Sequence, residues 1–216
     1  MADLNAALVA FAGVLVGGYF NNFLAEDFRR FRDSQALAGA LAGELESHAS
    51  GIPLLKNILT ALHARTKTGA ELTLRETPEP GSPVFEACVE KIGGLGPDLA
   101  NGVAFVYEQI RAFRSVMALL AKHHKEESAE WRTSMIASAY DRLKTAEDRG
   151  TPLIEQLKSH AAASYWKRPA TLKQCCVGLL CVALLVGATV RYSGGSEHGE
   201  QCTTTLDQGA QHTVCK

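Results

Sequence analysis

The sequence predicts an all-α fold: two transmembrane helices flanking an antiparallel cytosolic helical bundle, with the first helix long and continuous from the membrane. Three observations predict it. Uncharged apolar stretches sit near both ends, from about Leu4 to Leu24 (LNAALVAFAGVLVGGYFNNFL) and from Gln174 to Val190 (QCCVGLLCVALLVGATV). A bilayer core of about 30 Å needs roughly 20 mainly apolar helical residues, so both are candidate spans. Between them, apolar residues recur at steps of three and four in a polar background, the period of an amphipathic helix. Aromatic residues are sparse at 7% of the 216 positions and β-branched runs are rare, a balance that favours helix over strand.

The first span is placed at 4–24. It has no Lys or Arg before its apolar run, which argues for a retained helix rather than a cleaved signal peptide. Ala6, Ala10, Gly13 and Gly17 form one small-residue face, and Gly13 and Gly17 make a GxxxG motif. Small residues let helix backbones approach closely, so this face is a helix-packing candidate, within one chain or between chains. Ala183 and Gly187 repeat the spacing in the second span.

The bundle is placed at 25–170. Phe28, Phe31, Leu37, Leu41 and Leu45 continue the first helix to about Ala49, where Gly51 and Pro53 predict a break. Leu55, Leu59 and Leu62 then start a second stretch that ends near Gly69. Residues 69–83 carry Pro78, Pro80 and Pro83 and are predicted to be an irregular loop. Ser82 and Pro83 suit the N-cap and first position of a short helix running to Ile92, with Gly93 and Gly94 ending it. Gly96, Pro97 and Asp98 open the next helix. Its seam of Leu99, Val103, Val106, Ile110, Phe113, Met117 and Leu120 has the alternating spacing of a coiled coil. Ser128 is the predicted cap of the following helix, carrying Trp131, Met135, Ala139 and Leu143. Gly150, Thr151 and Pro152 predict another break before Leu153, Leu157 and Ala161.

The second span is placed at 174–191, with a short extracytoplasmic tail at 192–216. Arg29, Arg30 and Arg32 follow the first span; Lys158, Lys167, Arg168 and Lys173 precede the second. On the outer sides only Arg191 is close, with Lys216 far down the tail. The positive-inside rule therefore puts the middle in the cytoplasm and both termini outside. Tyr165 and Trp166, just before Lys167, suit an interfacial anchor.

The segment from Pro83 to Tyr107 resembles a stretch of uncharacterised bacterial membrane-anchored helical proteins. The pattern is Phe85 after Pro83, Lys91-Ile92-Gly93, Leu95, Leu99-Ala100, then Phe105 and Tyr107. The resemblance implies a bacterial inner-membrane setting and no activity.

Chemistry-bearing residues are few. A net charge of −1 gives no basic field for nucleic acid, and none is expected as a partner. Apart from Arg191 at the outer edge of the second, no Asp, Glu, Lys or Arg lies inside either span, which argues against proton-coupled transport. Cys202 and Cys215 lie in a tail expected to face an oxidising compartment and are the disulfide candidate; closing their loop removes about 3 kcal/mol of unfolded-state freedom in the chain-entropy model. Cys175, Cys176 and Cys181 suit small hydrophobes, and Cys88 suits a buried thiol. Glu44 with His48, and His123-His124 with Glu126-Glu127, have spacings that a metal site could use, yet no HExxH or nucleophile elbow is present, and these histidines are expected to be solvated. Catalytic, cofactor and metal sites are each expected to be absent. The expected function is a two-pass inner-membrane protein with a cytosolic interaction or assembly module, touching the lipid bilayer and either a protein partner or further copies of itself. A signalling protein sensing through its C-terminal tail and a small oligomeric pore are the alternatives.

Overall fold

Apolar residues on one face of the first helix keep their spacing from Phe31 through Leu59, and the helix does not break. The computed structural model describes residues 2–76, 80–193, 202–207 and 210–215. Helix α1 is Ala2–Lys67, α2 is Pro83–Cys88, α3 is Pro97–His123, α4 is Ala129–Ala161 and α5 is Pro169–Ser193. A 3-10 segment, Val89–Leu95, links α2 to α3, and a 3-10 turn, Tyr165–Lys167, precedes α5. Strands β1 (Cys202–Asp207) and β2 (Ala210–Cys215) pair antiparallel. The chain divides into two compact units, Phe23–Ala163 and Met1–Asn22 with Ser164–Lys216.

The first of these units is a three-helix bundle with two core layers. One layer joins Leu37, Leu41 and Leu45 of α1 to Val103 and Val106 of α3 and Leu153, Ile154 and Leu157 of α4. The other joins Ile52 and Leu59 of α1 to Leu120 of α3 and Ile136, Ala139 and Leu143 of α4. Along the chain, α1 and α3 pass from the first layer to the second, while α4 passes from the second to the first. So α1 and α3 run parallel and only α4 is antiparallel, which corrects the expectation of an antiparallel bundle of four or more helices.

The reason lies in residues 68–96. Tight turns would force antiparallel neighbours, but this segment carries the chain back along the bundle. It begins at the second layer, where Leu72 is buried, and ends at the first, where Ile92 and Leu95 are buried. An extended chain covers about 3.3 Å per residue against 1.5 Å in a helix, so a short crossover suffices.

Two predicted breaks do not occur. Pro53 lies inside α1 and Pro152 inside α4. An interior proline removes one backbone hydrogen bond and costs about 3 kcal/mol. Both rings sit on the exposed side of their helices, while Ile52 and Leu153 beside them are buried in the core. Burial of those faces outweighs the local penalty. The stop predicted at Gly93 and Gly94 moves three residues on: Gly96 has φ +87°, the left-handed region glycine favours, and it ends the 3-10 segment and starts α3. The Ser128 cap is present, its hydroxyl accepting from the Trp131 N–H at 3.1 Å.

The seam of α3 is spent within the chain. Leu99, Val103, Val106 and Ile110 pack in the first layer, and Phe113, Met117 and Leu120 in the second. Gly102 lies on the face toward α4, where an added Cβ would come within 2.9 Å of the Leu153 side chain.

In the other unit, α5 exposes Val177, Leu179, Leu180, Val182 and Leu184, and carries Lys173 near its start and Arg191 near its end. Among the described residues no helix is long and apolar enough to cross a membrane. The tail adds a two-stranded hairpin, the departure from an all-helical chain. Its register sets Cys202 opposite Cys215; the side chains of both, and of Ala6, lie outside the described residues.

Candidate functional site

The polar centre of the bundle is built around Glu44, one of the residues with metal-ligand spacing. α1 presents Glu44 and His48 on one face, a helical turn apart. The crossover brings α2 against them. Glu44 accepts from the backbone N–H groups of Val84 at 2.9 Å and Phe85 at 3.0 Å, and from the Tyr107 hydroxyl at 2.7 Å. These amides belong to the first turn of α2, whose N–H groups have no partner within the helix. Glu44 therefore caps α2 from another helix, while Ser82, the sequence-predicted cap, makes no side-chain cap bond.

Ser82 is used differently. Its buried hydroxyl accepts from Arg114 Nη1 at 3.0 Å and lies 3.4 Å from His48 Nε2. Its backbone N–H donates to Glu86 Oε1 at 3.0 Å. Tyr107 is held by a stacked Phe85 ring, with centroids 4.0 Å apart, and by the edge-on His48 ring at 6.4 Å.

Serine, histidine and glutamate in one place suggest a hydrolytic triad, but the bonding does not fit one. A triad acid orients its histidine through the ring N–H. Here the Glu44 oxygens are engaged by Val84, Phe85 and Tyr107. The serine hydroxyl bonds an arginine and is 4% exposed, closed to a substrate.

Electrostatics follow from the same contacts. Burial pushes the Glu44 carboxyl up, but hydrogen bonds from Tyr107, Val84 and Phe85 hold it below the usual carboxylate value, and His48 lowers it further once protonated. Burial pushes His48 down, Arg114 adds to this and Glu44 opposes it, so the ring is neutral at pH 7. Burial and the bond to Glu44 push the Tyr107 hydroxyl well up.

A pH profile checks this. Unfolding exposes groups that bind protons more readily than folded His48 and Glu44 do. Stability is therefore expected to fall as pH drops below the ordinary histidine value of 6.5, and again below the ordinary carboxylate value of 4.5. Tyr107 has the opposite sign: its contribution is complete below pH 10.0 and is lost as pH rises beyond it. Urea midpoints measured from pH 4 to 11 should show a plateau between those limits. His48→Asn should flatten the first acid step and Tyr107→Phe the alkaline one; unchanged limbs would refute the assignments.

Beside this network lies a largely apolar cavity of about 330 Å³ between the two core layers. Leu45, Ile52, Val106, Ile110, Phe113 and Leu143 supply its apolar wall, and Ser47, His48, Arg114, Glu147 and Thr151 its charged or polar groups. Lys56 of α1 forms an ion pair with Glu147. A second, outer cavity of about 630 Å³ shares Leu55, Pro80, Phe113 and Arg114 with the first. No family model matches this chain, and neither does any curated protein or solved structure.

The other sequence-selected residues are scattered. His124 is not solvated: it is 3% exposed. Its Nδ1 lies 2.8 Å from the Ala121 carbonyl, and its Nε2 accepts from the Leu74 N–H at 3.3 Å, tying down the crossover. Among the described residues no group of three His, Cys, Asp or Glu could hold a metal. Cys88 is half-buried; of the α5 cysteines, Cys175 is half-buried and Cys176 and Cys181 are exposed. Ala10, Gly13, Gly17, Ala183 and Gly187 are exposed, and a Cβ added at Gly13, Gly17 or Gly187 would meet no described atom within 4 Å. Sequence reading missed the cap on α2, because nothing local says that a carboxylate on α1 will meet a helix start 40 positions on.

Proposed function

We propose that this chain is a two-pass membrane protein that holds a helical bundle at the cytoplasmic face as an assembly module. The observation that carries the reading is the surface of α5. Val177, Leu179, Leu180 and Leu184 are between 62% and 72% exposed, and consecutive positions of a helix point in different directions. A helix apolar all round belongs in a core or in lipid. Phe11 and Val14 of α1 are exposed in the same way. Trp166 is 66% exposed beside Lys167 and Arg168, the place and company of an interfacial anchor.

In this reading the spans bring copies together and so gather their bundles at the membrane face, without use of the bundle seam. The seam is covered by α1 and α4, whereas on the small-residue face of α1 a Cβ added at Gly13 or Gly17 would meet no described atom within 4 Å. Close backbone contact between copies would use that face. The Cys202–Cys215 pairing in the ladder supports a tail disulfide, since paired antiparallel residues have Cα atoms about 4.5–5.5 Å apart, within disulfide range.

The test is extraction. The full chain expressed in bacteria should stay with membranes through an alkaline carbonate wash and leave only with detergent. Deleting 169–193 should weaken that retention, and thiol labelling of intact cells should reach Cys202 and Cys215 only after reduction. Release of the full chain by carbonate would overturn the membrane reading. In-cell cross-linking that traps no dimer, or a Gly13→Leu/Gly17→Leu variant that cross-links as well as the parent, would overturn the assembly reading.

A further inference from the structure

Arg114 is a half-buried cation without a carboxylate. Among the described residues its guanidinium bonds the Ser82 hydroxyl and makes no ion pair, although neighbouring charges are paired: Arg111 with Glu108, Lys56 with Glu147. An arginine carries five donors in a fork suited to a carboxylate. Here one nitrogen engages a neutral hydroxyl, so most of that capacity is unused.

Its position gives the unused capacity a meaning. Arg114 lines both the inner and the outer cavity and sits where they share walls. The inner cavity is overwhelmingly apolar. Among the described residues, the outer cavity adds Arg75 and Lys122 and one carboxylate, Glu76. Neither Arg75 nor Lys122 is in a described ion pair. Among the described residues of the inner wall, the carboxylate is Glu147, which is paired with Lys56. The two cavities thus share Arg114 in a common wall, with Arg75 and Lys122 along the larger and a mainly apolar lining in the smaller.

We propose that the inner cavity is a binding site for a single-tailed amphipathic carboxylate, its tail among Leu45, Ile52, Val106, Ile110 and Leu143 and its head on Arg114. A volume of about 330 Å³ lies at the lower end of small-molecule pockets, and the space between helices of a bundle is a common place for them. That volume fits a medium-length chain rather than a two-tailed lipid. Neutral His48 completes the head site without adding a second charge. The site lies wholly within Phe23–Ala163 and does not rest on the membrane reading.

The probe is octanoate labelled with 13C at the carboxyl carbon, titrated into the full chain in phosphatidylcholine vesicles and followed by NMR. Protein-free vesicles give the partition background, which does not saturate. The expected result is a saturable shift with one site per chain, weakened at least tenfold in Arg114→Gln. 1-Octanol, with the same tail and no charge, should compete at least tenfold more weakly. Gly51 lines the same cavity, and a Cβ there meets nothing within 4 Å, so Gly51→Leu should fill the space and abolish binding while leaving Arg114 and its hydroxyl partner in place. Circular dichroism of each variant separates lost binding from lost fold. A titration that superposes on protein-free vesicles, equal binding by folded Arg114→Gln, or equal competition by 1-octanol would each overturn the proposal.

Discussion

Glu44→Ala is expected to destabilise the full chain by about 3 kcal/mol, a sum over groups that each cost roughly 1–3 kcal/mol when left buried without a partner. The substitution strands two amides of the α2 first turn and the Tyr107 hydroxyl. Glu44 is half-buried, so water reaches part of the site and the total stays below the arithmetic maximum. Glu44→Gln keeps the shape but has one acceptor oxygen in place of two, and should cost about half as much. Tyr107→Phe removes one bond and should cost about 1 kcal/mol. A double-mutant cycle of Glu44→Ala with Tyr107→Phe should show coupling, because the two side chains share that bond. Hydrogen exchange locates the effect: the Val84 and Phe85 amides should lose protection ahead of the core of α3. If those two amides exchange as in the parent, Glu44 is not the cap.

Glu44 has a counterpart at the other kind of helix end. Gln35 of α1 donates to the carbonyls of Ala161 at 2.8 Å and Ala163 at 2.6 Å, closing the C-terminus of α4. Both caps come from α1, far away in sequence. This marks the border of what the chain's local pattern could reveal. The Ser128 cap was legible because its partner is three residues away, and so were the apolar faces, because burial imposes a short period. Ser82 was legible as a helix start, but its hydroxyl went to Arg114 and His48, partners 32 and 34 positions distant. Pro53 and Pro152 read as stops because a proline's local cost is visible in the sequence, whereas the burial that overrides it is not. The parallel run of α1 and α3 was hidden for a similar reason: the irregular segment at 69–83 was recognisable, but its direction across the bundle is set by where Leu72 and Ile92 find cover.

The two-layer core makes the remaining large prediction. Leu157 and Leu120 are each fully buried, in the first and second layer respectively. Truncating a buried leucine to alanine removes its transfer energy and leaves a cavity, together costing about 2–5 kcal/mol. Each of Leu157→Ala and Leu120→Ala is expected to fall in that range. Their combination distinguishes the architecture. The two leucines sit in separate layers with the inner cavity between them, so their costs should add to within about 0.5 kcal/mol. Leu157→Ala with Leu41→Ala should not add, because both belong to the first layer and the enlarged space can relax jointly. Trp131, packed against the second layer, supplies a local signal. Its fluorescence should be perturbed in native Leu120→Ala and unchanged in native Leu157→Ala, while urea midpoints by circular dichroism report the whole bundle. Additive costs within the first layer, or strong coupling across the cavity, would mean that the core transmits strain through the space here assigned to a ligand.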